Sequence, residues 1–375
     1  MRVTFLLPGG GTLPAGGFKV VYEYANALAQ LGHQVTVVHP AYMPDEHVNS
    51  GPAIKHGLFG YVAKAALRHW RPDRWFAVDP LVRMLWIPSL RSEFVPDADV
   101  VVATWWLTAE ILANWPATKG EKFYLLQHLE TWGGPEERVL ATWRLPLKKI
   151  VIARWLEDIA KRLGEPCCYI PNGLNFAEFD IDISPVTRCS FSLAMLYHQQ
   201  AWKGSSDGIA ALQLAKSRLP QLQAEFFGTS RAPAGLPTWI SYRRNPRRAE
   251  LRAIYNRSAI FLAPSWEEGW PLPPAEALLC GCALACTDIG GHREYVANGV
   301  TALTCAARDP AALARNIVRL MTDDGLRLRL AAQGRPSLEA FTWQRAVSCL
   351  QDVLADSAAH GFAFGDTGRE LRAAL

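Results

Sequence analysis

Short apolar runs recur along the chain with helical patterns between them: Val3–Leu7, Val35–Val38, Val100–Ala103, Phe123–Leu126, Ile150–Ala153 and Tyr169–Ile170, then Ser192–Leu196, Ala224–Phe227, Ile260–Ala263 and Ala283–Cys286. Runs that are continuously apolar, rather than alternating, predict strands of parallel sheets whose two faces are both covered by helices. The first intervening segment sets Val21, Tyr24, Ala25, Leu28 and Leu31 on one face at helical spacing. Gly32 follows as a stop and Gln34–Val38 as the next strand, which makes one βαβ unit. A second series of strands starts near Ser192, after the connection Asp180–Val186, so the domain boundary is expected around residues 165–190. The resulting division is 1–168 for a first Rossmann-like domain and 169–345 for a second. Residues 346–375 are a C-terminal helix and tail, with a crossing back to the first domain left open. In the late helix Thr342–Ala355, Ala346, Leu350, Val353 and Leu354 share a face, and the polar, Gly-rich remainder to Leu375 is expected to be poorly ordered.

Composition agrees with an α/β chain of two doubly wound parallel-sheet domains. A chain of 375 residues with 50% hydrophobic and 20% charged residues buries a sizeable core, which excludes disorder and small disulfide scaffolds. A net charge of +4 tolerates an anionic substrate or membrane surface without demanding nucleic acid, and no nucleic-acid partner is expected. The eight cysteines form no CxxC pair and have no histidine at zinc-like spacing, and several sit in apolar runs such as Ala283–Cys286. They read as buried thiols in a reducing compartment. Met1–Leu7 is too short for a signal peptide before it breaks at Pro8-Gly9-Gly10-Gly11, and no uncharged stretch approaches the roughly 18 apolar residues of a membrane span. The expectation is a soluble cytoplasmic protein, with peripheral contact at the inner face of the membrane as a further possibility.

In open α/β sheets ligands bind beyond the carboxyl ends of strands, and between two such domains a cleft is the first place to search. Strand Val3–Leu7 runs into Pro8-Gly9-Gly10-Gly11-Thr12-Leu13-Pro14-Ala15-Gly16-Gly17 and then directly into a helix. Glycines let backbone amides approach a ligand, and a helix N-terminus favours an anion. The spacing is not GxGxxG and no acid closes the second strand, Val37-Val38-His39-Pro40, which speaks against a dinucleotide fingerprint. A plain flexible turn is the alternative. After Ile260–Ala263 the chain reads Pro264-Ser265-Trp266-Glu267-Glu268-Gly269-Trp270-Pro271-Leu272-Pro273-Pro274-Ala275-Glu276. Pro273 and Pro274 suit a first helical turn, placing Glu276 within it and Glu268 on the loop before it. Two carboxylates bracketing a helix start accept hydrogen bonds from hydroxyls while nearby amides face an anion, an arrangement that fits a polyhydroxylated phosphate ester.

The run Glu268-x7-Glu276 resembles the Glu-x7-Glu motif of retaining GT-B glycosyltransferases of family 4. It is joined in order by Ile170-Pro171-Asn172-Gly173, Trp202-Lys203-Gly204, Phe227-Gly228-Thr229, Thr287-Asp288-Ile289-Gly290-Gly291-His292-Arg293-Glu294-Tyr295 and Phe341-Thr342-Trp343. The resemblance spans about residues 1–350 and is densest after 165. It implies two Rossmann-like domains facing a deep cleft, a nucleoside-diphosphate sugar donor on the second, an acceptor mainly on the first, and neither a cofactor nor a metal. Carried over by position, Glu276 holds the ribose hydroxyls, Glu268 the donor sugar and Lys203 the diphosphate, with Gly228 also on the donor side. Amides of Gly269, Trp270 and Leu272, with Gly16 and Gly17 across the cleft, complete the phosphate cradle. His128, just past Phe123–Leu126, is implied to contact the transferred sugar near the reacting carbon. His128, Lys203 and Glu268 are thus the candidate catalytic residues.

Two departures from the pattern matter. His198 stands where the family carries an Arg five residues before the Lys, so leaving-group stabilisation is weaker, pH-dependent or supplied by another Arg such as Arg231. Pro271 replaces a common Gly and removes an amide donor. Glu130 is expected on an exposed loop. Between Lys64 and Arg91, the basic residues Lys64, Arg68, Arg71, Arg74, Arg83 and Arg91 interleave with Trp70, Trp75, Phe76, Leu81, Leu85 and Trp86. That segment either rests on an anionic membrane or packs its tryptophans on its own domain. The function expected is a retaining transfer of a hexosyl or deoxyhexosyl group to a glycan, lipid-linked or small glycoside acceptor. The alternatives are a degenerate GT-B binding subunit of a glycan-assembly complex and a GT-B epimerase or phosphorylase.

Overall fold

The structure, a computed structural model, describes residues 1–43 and 58–359, so the expected C-terminal tail lies outside the described residues. The chain divides into two compact units, one formed by Met1–Asn172 with the chain from Trp343 onward, the other by Gly173–Thr342. The first unit begins β1 (Arg2–Leu6), α1 (Gly16–Gln30), β2 (Gln34–Tyr42), α2 (Leu58–Ala66), β3 (Arg83–Ser89), β4 (Val100–Ala103) and α3 (Trp106–Ala113). It continues with β5 (Glu121–Leu126), α4 (Glu136–Thr142), β6 (Lys148–Val151), α5 (Arg154–Leu163) and β7 (Cys167–Tyr169). The second unit holds β8 (Ser192–Leu196), α6 (Ser205–Arg218), β9 (Gln223–Gly228), β10 (Ile240–Arg244), α7 (Arg248–Arg257), β11 (Ile260–Ala263) and α8 (Leu272–Leu279). It ends with β12 (Ala283–Thr287), β13 (Ala302–Cys305), α9 (Pro310–Thr322) and α10 (Asp324–Gly334), after which α11 (Trp343–Ala359) returns to the first unit.

Each unit has one parallel sheet, ordered β3-β2-β1-β4-β5-β6-β7 in the first and β10-β9-β8-β11-β12-β13 in the second. The central strands β4, β11 and β12 are buried along their whole length, as the unbroken apolar runs require. In both sheets the strand order reverses beside the first strand, between β1 and β4 and between β8 and β11. Loops leaving these strands flank the topological switch point, where open α/β sheets bind ligands. Helix α1 buries Val21, Tyr24, Ala25 and Leu28 as the spacing predicts, whereas Leu31 lies past the last turn and is exposed. Helix α11 buries Ala346, Leu350 and Leu354. It packs on α1 through an edge-on contact of Tyr24 with Trp343, ring centroids 5.3 Å apart, and Gln351 Nε2 lies 3.0 Å from His33 Nε2.

The aromatic residues of 64–91 pack on their own unit, Trp75 and Trp86 half-buried. Trp70 and Phe76 are buried, Trp70 stacks on Trp86 at 5.5 Å, and Tyr22 packs on Trp75 and Phe76. Trp75 Nε1 donates to the Gly11 carbonyl (2.8 Å) and the Gly11 amide to the Trp70 carbonyl (2.6 Å), so this segment straps down the glycine-rich loop. His39 is fully buried beneath the same loop, its Nδ1 donating to the Gly9 carbonyl at 2.7 Å, and burial brings its pKa down to about 4. The loop after β1 is therefore not a plain flexible turn over this stretch. Among the cysteines, Cys280, Cys282 and Cys286 are buried as expected, but Cys189 is exposed, because it stands in the irregular approach to β8 rather than in an apolar run. No helix among the described residues is long and apolar enough to cross a membrane.

A buried guanidinium ties the second unit together. Arg188 is 6% exposed and donates to the carbonyls of Ile183, Tyr255, Ser258 and Cys280 and to Asn256 Oδ1, joining the segment before β8 to the ends of α7 and α8. Burial lowers its pKa, opposed by the neighbouring Cys282 and Cys280 thiols. Removing it leaves several buried carbonyls without donors. Arg188→Met is expected to cost about 3 kcal/mol or more, read as a lower midpoint in urea with an unchanged slope; a loss within the noise of a surface substitution would refute this role.

Candidate functional site

In the second unit the site is built from the loops after β8 and β11, which are adjacent strands. The first loop closes in a short turn, Ala201–Lys203, followed by Gly204 at φ 63°, and α6 starts immediately after. A side chain at Gly204 would meet both a left-handed backbone and the carbonyl oxygen of Pro264, so only glycine lets the two loops approach this closely. The Trp266 amide donates to the Trp202 carbonyl at 2.7 Å, which registers one loop against the other. The consequence is that Lys203 Nζ lies 2.9 and 2.8 Å from the two carboxylate oxygens of Glu268. Their side chains are 26% and 11% exposed, respectively, so the pair is shielded but reachable.

Residues given no role by the sequence hold this pair. Ser265 Oγ donates to Glu268 Oε1 at 2.8 Å, and the Thr287 hydroxyl at the end of β12 donates to the Ser265 carbonyl. His292 is buried with Nδ1 donating to the Thr287 carbonyl at 2.7 Å, and Gly291 lies against the carbonyls of Glu268 and Gly269. Trp266 Nε1 donates to Asp207 Oδ2 at 2.6 Å, and the Arg308 guanidinium sits 4.3 Å from the Trp266 ring centroid. A serine three positions before Glu268 is the one local hint in the sequence; the other partners come from distant segments.

Helix α8 starts at Leu272, after Pro271, rather than at Pro273. Glu276 is therefore one position beyond the first turn, not inside it, because proline is accommodated at the second and third helical positions as well as the first. Its carboxylate is 4% exposed and accepts from the Tyr255 hydroxyl at 3.2 Å. Gly269, Trp270 and Leu272 are buried on the connecting backbone. The Trp270 indole is packed against Tyr295 at 5.0 Å and Phe341 at 5.4 Å, so its side chain belongs to the core. Gly228 closes β9, where a Cβ would strike the Tyr197 carbonyl, and its own carbonyl accepts from the Asn245 amide.

His198 is half-buried. Its amide donates to Ser205 Oγ (2.9 Å), and its Nδ1 accepts from the Gln200 amide (3.1 Å). Burial lowers its pKa first and the nearby Lys203 charge second, with Glu268 acting the other way. Both burial and Lys203 thus disfavour the imidazolium of His198, whereas an Arg there would be a permanent cation.

In the first unit, Gly16 and Gly17 open α1, with no side chain capping its first turn. Gly16 is exposed, while the Gly17 carbonyl accepts from Gln127 Nε2 at 3.3 Å. Gln127 follows β5 and precedes His128, which is half-buried between Trp132 and Trp155, with ring centroids 6.2 and 5.8 Å away. Glu130 overturns the expectation of an exposed loop residue: it is 4% exposed, at φ 66°, and its Oε2 accepts from the Trp106 amide at 2.7 Å and the Tyr124 hydroxyl at 3.4 Å. Burial raises its pKa to about 8, only partly offset by those hydrogen bonds. The side chain turns inward, where its carboxyl oxygen accepts from the first amide of α3 beside the cap that Thr108 supplies to Trp105.

Residues 197–323, which span both loops and both carboxylates, match the family model for glycosyl transferases group 1. A D-inositol 3-phosphate glycosyltransferase of Salinispora arenicola is 34% identical over 122 residues, 32% of this chain and 27% of that protein. The alignment thus spans about a quarter of that relative's length. A phosphatidyl-myo-inositol mannosyltransferase of Mycobacterium leprae is 24% identical over 392 residues, covering 96% of this chain and 98% of the relative. The structure of HepE of Anabaena in complex with UDP-glucose superposes with a TM-score of 0.71 at 15% identity, over 95% of this chain and all of that one. The chain therefore has the two-unit, parallel-sheet architecture of GT-B proteins, and its residues 197–323 are similar to the glycosyl transferases of group 1.

Proposed function

We propose that the protein is a retaining glycosyltransferase of the family 4 type. It transfers a hexosyl or deoxyhexosyl group from a nucleoside-diphosphate sugar to a hydroxyl of a glycan, lipid-linked glycan or small glycoside, without a metal or other cofactor. The observation that carries this reading is the Lys203–Glu268 pair at the switch point, one helical start away from the buried Glu276. A shielded ammonium, loop amides and two carboxylates supply complementary groups for a diphosphate, a sugar and a ribose. The relatives described above are named as glycosyltransferases, and the HepE complex contains UDP-glucose, which supports a nucleotide-sugar donor.

In this mechanism Glu276 accepts from the ribose hydroxyls and Glu268 from hydroxyls of the donor sugar. Lys203, with the amides around Gly269 and Leu272, takes up the charge that grows on the diphosphate as the bond between the anomeric carbon and the phosphate oxygen breaks. Preorganised charge of this kind is the main electrostatic contribution available to such a reaction. The acceptor oxygen bonds to the anomeric carbon on the face that the diphosphate leaves, and its proton passes to the departing phosphate oxygen. On the acceptor-side unit, His128 contacts the transferred sugar, and the amides of Gly16 and Gly17 face the anion. The exposed basic residues of 64–91 are the part of that segment available for a peripheral anionic membrane carrying a lipid-linked acceptor.

Calorimetric titration with UDP, GDP, dTDP and ADP, without added metal, is expected to show selective binding of one nucleotide, weakened about tenfold or more in Glu276→Ala. Binding of none by the wild-type protein would favour a degenerate subunit over an enzyme. Glu268→Gln is expected to lower turnover about tenfold or more while changing nucleotide affinity little; turnover equal to wild type would remove Glu268 from the donor site. For His198, a titration followed by NMR in the ligand-free protein is expected below the ordinary value near 6.5. Glu268→Gln should lower it further, since the opposing negative charge is gone; an upward shift would show that Glu268 does not face the imidazole.

A further inference from the structure

Glu130 is a buried acid that the proposed chemistry leaves unused, and its surroundings converge on His128. Its carboxyl oxygen accepts from the first amide of α3, Trp106 N, at 2.7 Å, and from Tyr124 on β5. That anchoring holds a non-glycine residue at φ 66°, a conformation L side chains rarely adopt without external restraint. In this conformation the Glu130 amide points back two residues and donates to His128 Nδ1 at 3.3 Å, while its carbonyl accepts from the Gly133 amide at 2.8 Å. A second donor, Trp132 Nε1, approaches the same nitrogen at 3.4 Å.

Both donors are N–H groups with no capacity to accept, so Nδ1 must present its lone pair to them. A neutral imidazole then carries its proton on Nε2. We infer that Glu130 is a positioning residue whose anchored carboxyl group fixes the loop after β5 so that His128 is held as the Nε2–H tautomer, a neutral hydrogen-bond donor. The role fits a histidine that donates to a hydroxyl or ring oxygen of the transferred sugar without acting as a base toward it. The consequence for catalysis rests on the proposed function, whereas the tautomer is a property of the ligand-free protein. The groups facing the Glu130 carboxyl are Tyr124 on β5 and the Trp106 amide on α3, while Arg138 on α4 is turned to Glu110, 2.7 Å away.

The test uses the full chain labelled with 15N-histidine, with His128 assigned by the loss of its signals in His128→Gln. At neutral pH the wild-type protein is expected to show an unprotonated Nδ1 and a protonated Nε2; a proton on Nδ1 would overturn the proposal. Glu130→Gln keeps an acceptor oxygen for Trp106 and is expected to keep the wild-type pattern, whereas Glu130→Ala is expected to give a mixture of tautomers. Glu130→Gly removes the backbone penalty but not the need for the anchor, so full restoration in that variant would overturn the role of the carboxyl group. Trp132→Phe is expected to leave the tautomer in place; its loss there would assign the effect to Trp132 instead, and this variant serves if Glu130→Ala does not fold. In turnover, Glu130→Ala is expected to lower kcat about tenfold with donor KM unchanged, and to have no further effect in a His128→Ala background. Additive losses would overturn the coupling. A wild-type protein with no turnover on any donor would defeat the proposed function while leaving the NMR result to stand.

Discussion

The candidate site depends on the ion pair between Lys203 and Glu268. Each partner is mostly withdrawn from water, and either charge alone in that position would carry a substantial desolvation cost. Together, with the Ser265 hydroxyl completing the carboxylate's hydrogen bonds, they form a neutral arrangement that is stable before any ligand arrives. A diphosphate draws on the ammonium and a sugar hydroxyl on the carboxylate, so one substrate can take over both halves of the pair at once. That exchange works only if the two loops are already in register. The Trp266–Trp202 backbone bond and the side-chain-free approach of Gly204 to Pro264 impose that register.

Behind the loops, polar side chains inside the units restrict the backbone to one arrangement. Tyr255 meets Glu276, Thr287 meets Ser265, and Arg188 gathers carbonyls from three segments. In the other unit Glu130 does the same for the turn after β5. Buried polar groups are costly unless satisfied, so each such cluster penalises alternative loop conformations more than an apolar contact would. The apolar sheets supply the bulk of the driving force, and these clusters give the loops their particular shape.

Legibility followed the same distinction. The interior strands β4 and β11 are read from the chain to the residue, because a strand covered on both faces must be apolar at every position, and β8 is read as well from its apolar centre Leu193–Met195. Strands β3, β10 and β13 were not recognised. β3 and β10 stand at sheet edges and carry arginines, and β13 is a short edge strand only half buried toward its end. Leu31 was placed on the buried face of α1 because periodicity does not show that the helix ends one residue earlier. The tryptophans of 64–91 left two readings open, since an apolar ring beside a basic residue looks the same in sequence whether it meets lipid or its own domain. In the fold Trp75 packs on Tyr22 and Trp70 on Trp86, while the basic residues between them stay at the surface.

The alternation of interior strands with helices, the glycine and proline positions that shape the loops, and the spacing of Glu268 and Glu276 about a helix start were determined by the sequence alone, because local periodicity and short spacings encode them, while Lys203 was marked by the resemblance. The surroundings that lower the pKa of His198, the partners of both carboxylates and the burial of Glu130 were decided only by the tertiary structure. Those properties depend on which groups from distant segments share a low-dielectric space with a given side chain. Burial and hydrogen bonding, which set protonation and orientation, are three-dimensional quantities that no local spacing carries.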